Sequence, residues 1–290
     1  MNDMNTVSVP GLEHLSHSRI QAYLNCGLKF RFHYIDHLRP AFVPAALAYG
    51  IAFHEAVEEA LAGVMVGAMP PVSDLVGVVA RSLDQQERDV PIQYADEGGK
   101  DALLELASRM LTAWTAWPRP AGRILAVEHS FEFVLAPGLP PVVGRIDLVT
   151  EEADAVVLTD IKTAKSRWSS REIDEHSSQL VLYREAVKQM AAEMGKPVRL
   201  AYEVITKTKT PVVERYVIER APDELDRQRA VAQLVRRAVD AGIFIPQPGW
   251  ACATCPWAGP CREWGRKLAN DGDQATLQER PCATTVALGR

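Results

Sequence analysis

Hydrophobic spacing divides the chain into a helical first part and a second part in which strands and helices alternate. Apolar residues first recur every three or four positions, and from Ile124 onwards they form strand-length apolar runs. Pro118 and Pro120 mark the change, since proline ends a helix. We predict helices at 48–66, 75–88, 101–117, 174–194 and 222–241, and strands at 124–135, 142–150, 156–162, 198–206 and 212–219. This order predicts an α/β fold, in which helices pack on the faces of a mixed sheet.

The two ends of the chain carry weaker patterns. A short helix is predicted at 19–24, with Ser16 or Ser18 as its N-cap. Residues 270–290 are polar and without hydrophobic period, and we expect them to be disordered.

Composition narrows the class of protein. The net charge of −5 argues against a generally basic nucleic-acid binder, so any such surface must be a local groove. No stretch of about 18 apolar residues predicts a membrane span, and the N-terminus lacks a signal-peptide pattern. We therefore expect a cytoplasmic protein, in which clustered cysteines are metal ligands more often than disulfides.

Two successive predicted strands carry charged residues within apolar runs. Asp160 and Lys162 lie two positions apart in the apolar run 156–163, so they share one face of the strand. The preceding run, 141–149, carries Asp147. Two carboxylates and a lysine on neighbouring strands suit Mg²⁺ or Mn²⁺ acting on a phosphate, with the lysine stabilising charge or assisting a water. The alternative is an ordinary ion pair at the end of a strand.

Two helices each present a polar pair with a spacing of four residues. His54 and Glu58 share a helix face, and the imidazole could add a ligand to the metal with Glu58 behind it. Gln179 and Tyr183 likewise share a face and could contact a phosphate or hold the lysine. A lone helical histidine and an ordinary amphipathic helix are the alternatives for these two pairs.

Cysteines cluster near the C-terminus. Cys252, Cys255 and Cys261 provide three sulfur ligands within ten residues, and a tetrahedral Zn²⁺ or a [4Fe–4S] cluster needs a fourth. Cys26 and Cys282 are the candidates, and we favour Cys26 because Cys282 lies in the expected disordered tail. The spacing leaves zinc and iron–sulfur both open.

Taken in order, these motifs resemble those of a known family. An N-terminal Ser-x-Ser-x₄-Tyr-x₂-Cys segment is followed by Gly-x₃-His, Gly-x₂-Asp, Asp-x-Lys-Thr, Gln-x₃-Tyr and Cys-x₂-Cys-x₅-Cys. The matching residues are Ser16, Ser18, Tyr23, Cys26, Gly50, His54, Glu128, Gly144, Asp147, Asp160, Lys162, Thr163, Gln179, Tyr183, Cys252, Cys255 and Cys261. The chain thus resembles the RecB-like branch of the PD-(D/E)XK nuclease superfamily, which includes CRISPR-adaptation and AddB-type nucleases.

The resemblance implies a fold and a division of the chain. It implies a restriction-endonuclease-like mixed central sheet flanked by helices, with an N-terminal helical region. The nuclease domain would span 14–245, with a helical insertion at about 48–118. A cysteine module at 246–266 would close onto an iron–sulfur cluster together with Cys26.

The resemblance also implies roles for the site residues. The metal ligands would be His54, Asp147, Asp160 and the backbone carbonyl of Ile161. Lys162 would be the catalytic lysine, with Gln179 and Tyr183 along the DNA path. Glu58 and Glu128 would lie behind the ligands.

The function expected from the sequence is therefore a Mg²⁺- or Mn²⁺-dependent deoxyribonuclease. We expect an exonuclease acting on DNA ends or single strands in recombination or repair. The chain lacks the helicase motif Gly-x₄-Gly-Lys-Ser/Thr, so it would act alone or beside a helicase or an annealing protein. The alternatives are a subunit that cuts only with such a partner, or a DNA-binding subunit that does not cut.

Overall fold

The structure is a computed structural model that describes residues 12–94, 98–221 and 223–272, with side chains described as far as Lys267. The chain divides into two compact units, one ending at Gln247 and the other beginning at Pro248. Each unit is described by itself below.

The described elements follow the predicted order closely. The α-helices are α1 (His17–Asn25), α2 (Gly27–Phe30), α3 (Ala45–Met65), α4 (Val72–Asp89), α5 (Gly99–Ala116), α6 (Ser170–His176), α7 (Ser178–Glu193), α8 (Glu224–Asp240) and α9 (Ala258–Gly272). The strands are β1 (Val43–Pro44), β2 (Ile92–Gln93), β3 (Arg123–Phe133), β4 (Val142–Glu151), β5 (Val156–Ala164), β6 (Val198–Thr206) and β7 (Val213–Ile218). A π-helical turn spans Arg31–Ile35 and a 3₁₀ turn spans Trp250–Cys252.

The central sheet of the first unit has five strands in the order β3-β4-β5-β6-β7. The β5–β6 pair is parallel, and the other three pairs are antiparallel. Helices α6 and α7 make the crossover that a parallel pair requires. The predicted mixed α/β sheet with flanking helices is confirmed.

Each face of the sheet supports its own hydrophobic core. Val156 and Leu158 of β5 belong to a core shared with helices α1, α7 and α8. Ile161 of the same strand belongs to a second core, built on helices α3, α4 and α5. Because strand side chains alternate between faces, the even-numbered residues of β5 point towards α7 and the odd-numbered residues towards α3 and α5.

The N-terminal segment is attached to the first half of β4, which β5 leaves unpaired. Leu15 donates its N–H to the carbonyl of Pro141 and accepts the N–H of Val143, both at 2.8 Å. The chain then enters α1, where the Ser16 side chain accepts the N–H of Arg19 and forms the predicted N-cap. This attachment holds the start of α1 beside the first half of β4.

The structure changes the predictions for the helix at 174–194 and for the tail at 270–290. The predicted helix at 174–194 is two helices, α6 and α7, separated at Ser177, and α6 begins earlier than predicted, at Ser170. A capping box between Ser169 and Glu172 starts α6. The predicted disordered tail at 270–290 overlaps the last residues of α9, and 273–290 lie outside the described residues. None of the helices described is long and apolar enough to cross a membrane.

Candidate active site

The site is built where β4 and β5 separate. Their antiparallel pairing ends at Leu148 and Thr159, one step before Asp147 and Asp160 would face each other. The Asp147 carboxylate replaces the next ladder bond, because its Oδ2 accepts the N–H of Ile161 at 2.6 Å. This bond fixes the Asp147 side chain in the fork between the two strands.

His54 and Glu128 converge on Asp147 from two other elements. Nδ1 of His54, on α3, lies 3.6 Å from Asp147 Oδ1. Glu128 has a φ of 49°, a left-handed backbone that a residue with a side chain adopts only at a cost of about 1 kcal/mol or more. His54, Glu128 and Asp147 each offer one ligand atom, and these atoms lie within 4.8 Å of one another. Arg145 holds the other side of this group, with its Nε 2.5 Å from Glu128 Oε2.

Asp160, Lys162 and Gln179 form a second group beside the first. Lys162 Nζ lies 2.7 Å from Asp160 Oδ2 and donates to Gln179 Oε1 at 3.1 Å. Gln179 Nε2 in turn donates to Asp160 Oδ1 at 2.9 Å. Asp160 Oδ2 is buried and has the Lys162 ammonium as its partner, so the two side chains form a largely buried ion pair.

Tyr183 closes the wall of the site one helical turn after Gln179. Its ring meets Phe131 edge to face, with the ring centroids 5.0 Å apart. Both rings lie against Gly144, where an added Cβ would stand 2.5 Å from Phe131 Cζ and 3.2 Å from Tyr183 Cε1. The glycine of the Gly-x₂-Asp motif thus leaves the space that the ends of these two rings occupy.

The predicted residues open onto one cavity of about 640 Å³. Its lining includes His54, Glu58, Glu128, Asp147, Lys162, Gln179 and Tyr183. Asp160 is buried beneath Lys162 and is not part of the close His54, Glu128 and Asp147 group. Ile161 contributes its N–H to Asp147, and the ligand role of its carbonyl stays a prediction.

Burial and like charge raise the pKa of two carboxyl groups. Burial raises the pKa of Asp160 to about 6; Lys162 opposes the shift and Asp147 adds to it. Burial and the neighbouring Asp147 raise the pKa of Glu128 to about 7, against the attraction of Arg145. These carboxylates crowd together at a cost, which a bound cation would relieve.

Two opposing effects set the pKa of each basic group, Lys162 and His54. Burial lowers the pKa of Lys162, but the attraction of Asp160 and Asp147 outweighs it and leaves the pKa above its ordinary value. Burial also lowers the pKa of His54, and the hydrogen bond and charge of Asp147 reverse that effect. Lys162 is therefore a charged donor at neutral pH.

Two residues at the site were missed by sequence reasoning. Arg145 lies two positions before Asp147 in β4, and this spacing could have pointed to it. His17 is hydrogen-bonded to Ser178 Oγ at 3.0 Å, and burial together with Lys162 and His176 lowers its pKa to about 4. No spacing in the sequence distinguishes His17.

The cysteines lie in both units. In the first, Cys26 ends α1 and caps α2, with its Sγ 3.5 Å from the N–H of Lys29. In the second, Cys252 and Cys255 flank a turn and Cys261 lies in α9. Within the described residues, the three C-terminal cysteines do not form a close group of ligand atoms like that of His54.

Comparison with known proteins places the chain in a family. The sequence profile described as "PD-(D/E)XK nuclease superfamily" matches residues 14–262. A solved structure described as "Putative exonuclease" from Eubacterium rectale is 12% identical, with a TM-score of 0.49 over 98% of this chain and 96% of that chain. Another, called SSO0001, is 13% identical, with a TM-score of 0.35 over 83% and 92%. No curated protein matches the sequence.

The two solved structures are too distant to support an argument about activity. The profile match is different, because it runs from the segment before α1 to the start of α9 and includes every residue of the site. The chain belongs to the PD-(D/E)XK nuclease superfamily.

Proposed function

We propose that the protein is a Mg²⁺- or Mn²⁺-dependent nuclease that hydrolyses phosphodiester bonds of DNA. Nucleases of this superfamily use divalent metals. The observation that carries the proposal is the convergence of His54, Glu128 and Asp147 at the β4–β5 fork, beside the Lys162 ammonium. The proposal includes trimming of DNA ends in recombination or repair, which rests on the resemblance to the RecB-like branch.

The residues present fit a hard divalent cation. Two carboxylate oxygens and one imidazole nitrogen, from Glu128, Asp147 and His54, lie within 4.8 Å of one another. We assign His54, Glu128 and Asp147 as ligands, with Asp160 and the Ile161 carbonyl completing the set. Glu128 is thereby assigned as a direct ligand, whereas the resemblance implied a position behind the ligands. When bound, the metal would supply Lewis-acid stabilisation of phosphate charge and a more acidic water.

Lys162 would provide the protein's own positive charge at the reacting phosphate. Its ammonium is fixed by Asp160 on one side and Gln179 on the other, so one direction remains for a substrate oxygen. A charged donor placed in advance stabilises charge that develops on the phosphate without reorganising. Gln179 positions Lys162, and Tyr183 borders the cavity in which the strand would lie.

The test is cleavage of end-labelled single-stranded, duplex and circular DNA with Mg²⁺, Mn²⁺ or chelator. We expect cleavage of linear DNA with metal, none with chelator, and loss of activity in Asp147→Asn. Asp154→Asn is the matched control, because Asp154 is an exposed acid paired with Arg199 outside the cavity. An Asp147→Asn variant that cuts as fast as the parent would exclude the assignment.

The same assay separates the alternatives. Cleavage of circular DNA would replace the exonuclease proposal with an endonuclease. A parent chain that is inactive alone, but cuts when a helicase or annealing protein is added, would identify a partner-dependent subunit. A chain that binds DNA and never cuts would be a binding subunit.

We infer that Cys26, Cys252, Cys255 and Cys261 together bind a [4Fe–4S] cluster, with structural Zn²⁺ as the alternative. The support is the spacing of three cysteines within ten residues and the resemblance. Anaerobic purification should give a brown protein, and Cys255→Ser should remove its colour and iron. Colourless parent protein that contains zinc would exclude iron and leave the nuclease proposal intact.

A further inference from the structure

A second cavity continues outward from the active site. It has a volume of about 700 Å³ and lies between the start of α1 and the β3–β4 hairpin. Ser16, Ser18, Gly144 and Arg145 line both this cavity and the active-site cavity. We call the second cavity the outer pocket. A DNA strand that reaches the His54, Glu128 and Asp147 group could therefore continue along the protein surface into the outer pocket.

Arg19 is the distinctive cation of the outer pocket. Its Nη1 donates to the carbonyl of His14 at 3.1 Å, and its guanidinium carbon lies 4.9 Å from the centre of the Tyr34 ring. These contacts hold the guanidinium in place. No carboxylate among the residues described here lies within 4.0 Å of it, although Glu132 lines the pocket and the charge of Glu13 acts on Arg19 from farther away. Arg19 thus carries a fixed positive charge without an ion-pair partner in a protein of net charge −5.

Arg145 supplies a second cation at the passage between the two cavities. Its Nε faces Glu128, while its side chain is 61% exposed. One guanidinium can contact the metal-side carboxylate and still present other N–H donors outwards. Arg145 and Arg19 therefore follow each other along the path from the site to the outer pocket.

From this arrangement we propose that the outer pocket binds the phosphate of the nucleotide next to the scissile bond, with Arg19 as its main ligand. Guanidinium groups match phosphate geometry, and a DNA strand carries phosphates at regular intervals. The proposal rests on the nuclease function and adds a subsite to it. Substrates that extend into the pocket should then be bound more tightly than substrates that end at the metal.

The test compares two substrates of different reach. An oligodeoxynucleotide is long enough to occupy both cavities. Thymidine 5′-(p-nitrophenyl phosphate) places one phosphodiester at the His54, Glu128 and Asp147 group and has no second phosphate for the outer pocket. Arg19→Ala should raise KM for the oligonucleotide about tenfold and leave kcat/KM for the small ester unchanged. Arg19→Lys should recover part of the loss because it keeps the charge. Arg123→Ala is the control, since Arg123 is an exposed arginine of β3 paired with Glu151.

Oligonucleotide binding without metal gives a second readout. The dependence of log K on log salt should become shallower by about 0.7 in Arg19→Ala, the amount expected for one single-strand phosphate contact. Equal losses on both substrates would mean a structural role, and an unchanged oligonucleotide KM and salt slope would exclude the subsite. If the parent cuts neither substrate, the nuclease proposal fails, and the salt slope still decides whether Arg19 contacts a phosphate.

Discussion

Two buried acids on adjacent strands, Asp160 of β5 and Glu203 of β6, have opposite surroundings. Each is only 3% exposed, and Glu203 is paired in register with Ile161, the residue after Asp160. Asp160 points towards α7, where Gln179 holds it. Glu203 points towards α5, where Trp114 Nε1 donates to it at 2.5 Å. Burial alone therefore does not distinguish a structural acid from an acid of the candidate active site.

The neighbouring charges do distinguish them. Burial raises the pKa of both carboxyl groups, but Glu203 is surrounded by partners that favour its charge, with Arg119 3.4 Å from Oε1. Asp160 has Lys162 as a partner and also the repulsion of Asp147. The charge of the Glu203 carboxylate is balanced by Arg119 and Arg215, whereas the Asp160 carboxylate lies next to a second acid, Asp147, whose repulsion a cation can balance.

The largest expected effect is on activity, in Asp160→Asn. The amide oxygen can still accept from Gln179, but the negative charge next to Lys162 is lost. We expect kcat/KM for DNA to fall about a thousandfold, while the free energy of unfolding falls by only about 1 kcal/mol, because Asp147 still attracts Lys162 and the relieved repulsion between the two acids offsets much of the lost ion pair. Cleavage rates and urea unfolding measure the two quantities. A stability loss as large as that of the Glu203 variant below would contradict the comparison.

For Glu203→Gln we expect a large loss of stability and little change in activity. Arg119 loses its buried counter-charge, and the free energy of unfolding should fall by about 2–4 kcal/mol. The kcat/KM of the folded protein should stay within about twofold of the parent, because Glu203 does not line the active-site cavity. Urea unfolding and cleavage below the melting range are the measurements. Loss of activity without loss of stability would show that the second core also supports catalysis.

These two acids also show what sequence can and cannot predict. The period of two in β5 predicted that Asp160 and Lys162 share a face, and the place of Asp147 on the neighbouring predicted strand predicted that it lies nearby. Glu203 lies in an equally apolar run, so its pattern resembles that of Asp160 although its partners are different. The left-handed backbone that brings Glu128 to the site depends on packing between distant segments. Local periodicity carries no information on such contacts.

The pH dependence of stability is a third way to compare the two regions, because His17 lies on the same side of the sheet as Asp160. Its pKa is lowered from 6.5 to about 4 in the folded protein by burial, Lys162 and His176. Below pH 6.5 the unfolded chain therefore binds the proton more readily, so stability is complete above 6.5 and falls as the pH decreases towards 4. Between pH 7 and pH 5 the loss from this group should be about 2 kcal/mol.

His17→Gln isolates that contribution, since glutamine can still bond to Ser178 and does not titrate. Urea unfolding of both proteins at pH 7 and pH 5 gives the difference in pH dependence, to which the remaining groups contribute equally. A variant with the same loss as the parent would mean that His17 is protonated without cost in the folded state.

The smallest expected effects on stability and activity come from two glycines, Gly122 near Glu203 and Gly144 near Tyr183. Gly122 shares a cavity lining with Glu203, and a Cβ there would meet the backbone oxygen of Glu151 at 2.8 Å. At Gly144 the nearest atoms belong to the end of the Phe131 ring, which can move. Gly122→Ala should therefore lower the free energy of unfolding by about 1 kcal/mol and leave cleavage unchanged. Gly144→Ala should cost less stability but displace Tyr183 and lower kcat/KM by up to about tenfold. If both variants lose only stability, the packing of Phe131 and Tyr183 against Gly144 supports the fold alone, and the position of Tyr183 does not matter to cleavage.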